Sequence, residues 1–156
     1  MIKLIIRCDD AGKIIEKQVT ELKEKGFDVD MSYGRLEDEE FIEIHRQVNF
    51  IINPSLWEEP LSGSVIESFD LGTPAIVPTN TGSACFVKTG NNGYLFEFRN
   101  KVSFLSCIEN AIINIHNWES LHRGALQVSA DYERQTIIQL AHVKSIVKGE
   151  SYNLHN

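Results

Sequence analysis

The sequence predicts an α/β fold, a Rossmann-like parallel sheet of about five strands with helices on both faces. Three observations predict it. Short apolar runs alternate with amphipathic segments from one end of the chain to the other. The connections between them are short, and crossovers of that kind lay strands parallel and cover both faces of the sheet. The chain has 156 residues, 42% hydrophobic and 24% charged, enough for one core but not comfortably for two. Residues 1–150 therefore read as a single domain, with 151–156 as a frayed tail.

Each element has its own justification. Residues 3–8, Lys-Leu-Ile-Ile-Arg-Cys, form an apolar run of strand length. Residues 13–25 carry Ile15, Val19 and Leu22 at helical spacing and stop at Gly26. Residues 28–33 form a second strand closed by Gly34. Residues 38–47 open on acids, which suits the positive end of a helix dipole, with Phe41, Ile44 and Val48 on one side. A third strand over 50–53 stops at Pro54, and a short helix over 64–71 ends at Gly72. Residues 75–78 form a fourth strand, and 83–88 one or two helical turns. Gly90-Asn91-Asn92-Gly93 is a turn by composition, and 94–98 a fifth strand. Phe104, Ile108, Ala111, Ile112 and Ile115 place a helix over 102–115. Ile137, Leu140, Ala141 and Val147 place the last one over 131–148.

Composition excludes several functions. The net charge of −7 argues against nucleic acid or an anionic membrane as partner, because both select basic faces. Cys8, Cys85 and Cys107 are odd in number and lack metal spacing, so they read as reduced thiols filling the core. His45, His116, His122, His142 and His155 show no ligand pairing, and no metal is expected. The dinucleotide fingerprint, the P-loop, the Gly-x-Ser-x-Gly elbow and a Cys–His signature are all absent. The first apolar run is too short for a signal peptide, and no stretch is long enough to span a membrane. Trp57 and Trp118 read as packing residues.

The informative stretch is 53–74. Glu59 and Glu67 lie eight positions apart, with a Ser-Gly-Ser turn between them that should open a helix. If the helix starts near Ser64, both carboxylates edge one crevice at the carboxyl end of a strand, where such sheets bind ligands. Carboxylates accept hydrogen bonds from sugar hydroxyls. On spacing alone, solvated surface acids are the stronger reading. Ser62, Gly63, Ser64 and Val65 offer a phosphate cradle of outward-pointing amides, and an ordinary serine cap accounts for them equally well. Thr79-Asn80-Thr81-Gly82-Ser83 either lines the same crevice or forms a capped turn, the latter slightly preferred. Arg35, after Gly34, either stacks on a base or is a surface residue, the latter preferred.

Context shifts these balances. Glu59-Pro-Leu-Ser-Gly-Ser-Val-Ile-Glu67-Ser-Phe-Asp-Leu-Gly-Thr-Pro-Ala-Ile-Val resembles the Glu-x7-Glu signature of family 4 glycosyltransferases. These are retaining, nucleotide-sugar-dependent enzymes of the GT-B fold, within the group 1 glycosyl transferases. Arg35-Leu-Glu-Asp-Glu-Glu-Phe resembles the family's third strand and following helix, and Lys88-Thr-Gly-Asn-Asn-Gly-Tyr-Leu-Phe its closing turn and last strand. The similarity runs in detail from about Lys3 to Phe98 and more loosely to Lys148.

The resemblance implies the C-terminal, donor-binding half of a GT-B fold, with the first βα unit missing. It implies that Glu67 binds the ribose, that Glu59 contacts the donor sugar at the reacting centre as the catalytic residue, and that the backbone of Ser62, Gly63, Ser64 and Val65 holds the diphosphate. Gly34 and Arg35 match where the base lies. The expected function is transfer of a sugar from a UDP- or GDP-linked donor to a carbohydrate or lipid-linked acceptor, as in polysaccharide biosynthesis. No metal or cofactor is expected. The acceptor is expected to reach the site through an N-terminal domain outside the 156 residues, so the chain alone is expected to be inactive. The implied location is cytoplasmic, peripheral at the inner face of the membrane through that missing part. The alternative is a non-catalytic interaction module derived from the same fold. An unfilled central strand position makes self-association a further expectation.

Overall fold

The computed structural model describes residues 3–8, 13–33 and 37–148. The elements are β1 (Lys3–Cys8), α1 (Lys13–Glu24), β2 (Asp28–Tyr33), α2 (Asp38–His45), β3 (Ile51–Ile52), α3 (Gly63–Asp70), β4 (Ala75–Pro78), β5 (Gly93–Phe96), α4 (Lys101–Ile113) and α5 (Trp118–Lys148). Short 3-10 turns lie at Gly82–Cys85 and Ile115–Asn117. The fold is α/β with parallel pairing throughout the described strands. The strands form two sheets, β1 with β2, and β3–β4–β5 in that order. The chain divides into two compact units, Met1–Glu43 and Ile44–Asn156.

In the first unit β1 and β2 run in register from Lys3 opposite Asp28 to Cys8 opposite Tyr33. Val19 of α1 and Val29 of β2 are buried. Helix α1 closes where the sequence places Gly26: the Phe27 amide donates to the Leu22 carbonyl at 3.1 Å and the Gly26 amide to that of Lys23 at 2.9 Å, a Schellman closure.

In the second unit β4 is the central strand and all four of its residues are buried. Its alternation sorts them onto two faces. Ala75 and Val77 pack with Val65 and Phe69 of α3, with Val87, and with Ala125 of α5. Ile76 packs on the other side with Tyr94 and Phe96 of β5, Cys107 and Ala111 of α4, and Leu121. Cover on both faces is why this strand reads as an unbroken apolar run.

Helix α5 is longer than the sequence suggests. The spacing predicts a helix over 131–148, whereas it begins at Trp118. Gly124 lies inside α5 and packs closely: a Cβ there would lie 2.1 Å from the carbonyl oxygen of Asn91. Leu121, Ala125 and Val128 follow helical spacing and pack into the two clusters. The Trp118 indole Nε1 donates to the Asn49 carbonyl at 2.7 Å. The His122 ring stacks on Trp118 with centroids 5.0 Å apart. Its Nδ1 lies 2.7 Å from the Gly72 carbonyl oxygen, and because a carbonyl only accepts, Nδ1 carries the proton.

Two expectations about side chains change. Trp57 is 77% exposed, so it is not a packing residue. Cys107 is buried but Cys85 is exposed on its short 3-10 turn. Among the described residues no helix is long and apolar enough to cross a membrane.

Candidate functional site

The segment from β3 to α3 carries most of the residues that the sequence singles out. The Asn53 amide donates to the Ile76 carbonyl at 3.0 Å, so sheet bonding continues one residue past Ile52. Pro54, which has no amide hydrogen, ends it. Residues 54–62 then lead into α3, with Ser62 in an extended conformation at the N-cap (φ −84°, ψ 121°).

Ser62 does not cap the helix with its side chain. Its hydroxyl instead shares a 2.9 Å hydrogen bond with that of Ser64. The amides of Val65 and Ile66 donate to the Ser62 carbonyl at 3.2 and 3.4 Å. By helix geometry the amides of Gly63 and Ser64 have no acceptor within α3. They form the positive end of the helix, an arrangement that receives anions. Val65 differs from its neighbours, since its side chain is fully buried and its amide is bonded to Ser62.

The two carboxylates differ in setting. Glu67 is exposed one turn along α3. Its Oε1 lies 3.8 Å from where a Cβ on Gly63 would stand, as expected for a helical side chain leaning toward the N-terminus. Glu59 precedes the helix and is half-buried. Its Oε1 accepts from Asn53 Nδ2 at 3.0 Å.

The loop after β4 completes the site. The Gly82 amide donates to the Glu59 carbonyl at 2.9 Å, and the Ser62 amide donates to Ser83 Oγ at 3.0 Å. A Cβ on Gly82 would fall 1.1 Å from the Pro60 carbonyl oxygen, so the two backbones meet where only glycine fits. The capped-turn reading of this loop does not hold, because Thr81 makes no side-chain cap and its hydroxyl donates back to the Pro78 carbonyl at 3.1 Å. Both polar atoms of the Asn80 side chain are buried without a hydrogen-bond partner, at a cost of about 1–3 kcal/mol.

Glu59, Ser62, Gly63, Ser64, Val65 and Glu67 thus lie on one loop–helix segment, clasped by Gly82 and Ser83. Gly34 and Arg35 lie outside the described residues. Ser83 belongs to the 79–83 stretch weighed as lining the crevice, whereas the contact of Asn53 with Glu59 is one that the sequence reading did not assign. The available signal for Asn53 was a polar residue closing an otherwise apolar strand. Among the described residues no group of three or more His, Cys, Asp or Glu side chains is placed to hold a metal ion.

A family model described as "Glycosyl transferases group 1" matches residues 20–125, well over half of the chain. The chain belongs to this family. Its fold is that of the C-terminal part of a GT-B glycosyltransferase. Sucrose-phosphate synthase from Thermosynechococcus elongatus superposes with a TM-score of 0.74 at 16% identity, over 95% of this chain and 39% of that one. HepE from Anabaena, solved in complex with UDP, gives 0.71 at 16% identity over 90% and 41%. The same protein in complex with UDP-glucose gives 0.67 at 15% identity over 90% and 41%. At these identities the likeness concerns the fold. This family member spans about two fifths of the length of those structures. No individual curated protein matches it at a significant level.

Proposed function

We propose that this glycosyl transferases group 1 chain is the donor-binding part of a retaining, family 4-type glycosyltransferase. It binds a UDP- or GDP-linked sugar and serves transfer to a carbohydrate or lipid-linked acceptor that another domain presents. The observation that carries this reading is a carboxylate over an uncapped helix start: Glu67 Oε1 stands 3.8 Å from the Cβ position of Gly63, and Ser62 leaves the helix without a side-chain cap. The complexes of HepE with UDP and UDP-glucose support a nucleotide sugar as the partner.

In this reading the amides of Gly63 and Ser64 hold the diphosphate. As the bond from the sugar to the diphosphate lengthens, negative charge grows on the leaving group and the helix end stabilises it. Glu67, exposed and free to turn, is pushed off the helix start by the arriving phosphates and accepts from the ribose hydroxyls. Glu59 accepts from the hydroxyls of the sugar. The acceptor hydroxyl attacks on the face that the diphosphate leaves, and its proton passes to a diphosphate oxygen. The protein contributes positioning and charge stabilisation, with no metal or organic cofactor called for.

Calorimetric titration of the full chain with UDP and GDP, wild type beside Glu67→Ala, tests the proposal. Saturable binding of one nucleotide that Glu67→Ala weakens about tenfold or more without unfolding the chain is the expected result. A folded wild type that binds neither nucleotide refutes it.

A further inference from the structure

Glu59 is held at two points that do not depend on any ligand. Its carbonyl accepts from the Gly82 amide at 2.9 Å, which fixes the backbone. Its Oε1 accepts from Asn53 Nδ2 at 3.0 Å, which fixes the carboxylate. Asn53 is itself anchored, because its own amide donates to the Ile76 carbonyl on the central strand at 3.0 Å. The orientation of the Asn53 amide follows from chemistry: an ionised carboxylate only accepts, so the nitrogen must face it.

A glutamate side chain has several rotatable bonds and is costly to hold still in a loop. Asn53 is shorter and is sheet-bonded through its own backbone, so it transmits the rigidity of β4 to the end of Glu59. Asn before Pro is an ordinary way to end a strand, and what distinguishes Asn53 is that its side-chain nitrogen donates to Glu59 Oε1. With Oε1 holding the Asn53 amide, Oε2 is the oxygen without a donor among the described residues and the one best placed to accept from a ligand.

We propose that Asn53 is a positioning residue of the donor-sugar subsite: it takes Oε1 of Glu59 so that Oε2 is presented, pre-oriented, to a hydroxyl of the hexose. The inference rests on the donor-site reading above and deepens it. The donor-site reading puts diphosphate and ribose at the start of α3, whereas the Asn53 side chain is bonded to Glu59, so its effect is expected on the sugar alone. The contribution is preorganisation, which separates a bound sugar from a merely tethered one.

The test compares the full chain with Asn53→Ala and Asn53→Asp. The Asp variant is nearly isosteric and places two carboxylates against each other. Each protein is titrated with UDP, UDP-glucose, GDP and GDP-mannose, and the readout is the ratio of the affinity for a nucleotide sugar to that for its nucleotide. The expected result is that nucleotide affinity changes less than about twofold while the sugar's added affinity falls about five- to tenfold, further in Asn53→Asp than in Asn53→Ala. A general structural defect would lower both affinities together. A sugar increment that survives both substitutions overturns the positioning role and leaves the donor site standing. A wild type that binds no nucleotide overturns the donor-site reading, and the role of Asn53 falls with it.

A second arm needs no ligand. The side-chain amide signals of Asn53 in a nitrogen-15 spectrum of the free chain are expected to move when Glu59 is replaced by Gln, because the charge on their acceptor is lost. Signals that stay in place overturn the inference even where nucleotide binds, and this arm holds if an Asn53 variant fails to fold.

Discussion

The amide of Gly82 donates to the carbonyl of Glu59 at 2.9 Å, joining the loop after β4 to the loop before α3. The contact exists because position 82 lacks a side chain: a Cβ would fall 1.1 Å from the Pro60 carbonyl oxygen. That neighbour is backbone and cannot rotate aside. Gly82→Ala is therefore expected to push residues 59–61 outward and to lower stability by about 1–3 kcal/mol, as overpacking does. Urea unfolding measures the loss of stability, and nucleotide titration the effect of the displaced loop on the site. An Ala variant matching the wild type in both would show that this close approach does not hold the site.

Gly124→Ala sets two effects against each other. Alanine gains about 1 kcal/mol over glycine inside a helix. Against it stands the Asn91 carbonyl oxygen, 2.1 Å from the new Cβ. Asn91 is held in turn, its amide donating to the Lys88 carbonyl at 2.9 Å, while the neighbouring Asn92 side chain ties Lys88 and Phe86 together. The clash should win, and thermal unfolding should show a lower Tm. A higher Tm would mean that the 90–92 turn yields without cost.

The second unit was largely legible because its strands bury both faces and its apolar runs are unbroken. Ala75, Ile76 and Val77 give strand β4 directly. The Glu59–Glu67 spacing located the loop–helix segment, since a turn composition followed by an amphipathic run marks a helix start. What stayed hidden depended on partners distant in sequence. The first thirteen residues of α5 lie outside the predicted 131–148 because Leu121, Ala125 and Val128 pack against residues distant in sequence. Asn53 carries no local sign that its amide meets Glu59. The division of five strands between two sheets was likewise not fixed by pattern, because periodicity gives a strand its faces but not its neighbours.

Two groups in the core make the chain sensitive to alkali. Burial raises the Cys107 thiol above its ordinary 9.0. Burial, and next the nearby Cys107, raise the Tyr94 phenol above its ordinary 10.0. Both are neutral when protonated, so the folded chain holds these protons more tightly than the unfolded one. Their contribution is fully present below the ordinary values and is lost as pH rises through the raised ones. Stability should therefore be flat with respect to these groups near neutrality and decline above about pH 9. Chemical unfolding across pH 8–11 measures the decline, and Cys107→Ala should reduce it. In a Cys8→Ser background at pH 8, a thiol reagent should modify exposed Cys85 at once and Cys107 only on unfolding. Equal reaction rates for the two would contradict the burial of Cys107.

Glu59 and Glu67 should separate when nucleotide and nucleotide sugar are compared. Glu67 stands over the helix start, where the donor-site reading places the diphosphate and ribose, so Glu67→Ala should weaken UDP and UDP-glucose by the same factor. Glu59 is set back in the preceding loop, its Oε1 engaged by Asn53. Glu59→Gln keeps the shape of that contact while removing the charge. It should leave UDP unchanged and weaken UDP-glucose by about tenfold, the scale of one hydrogen bond to a charged group. Neither substitution touches the buried core, since Glu67 is exposed and Glu59 half-buried, so both variants should unfold near the wild-type midpoint. The pattern identifies the two subsites by their difference and not by loss of binding as such. If Glu59→Gln weakened UDP as much as UDP-glucose, the two carboxylates would share the nucleotide, and the assignment of Glu59 to the sugar would be wrong.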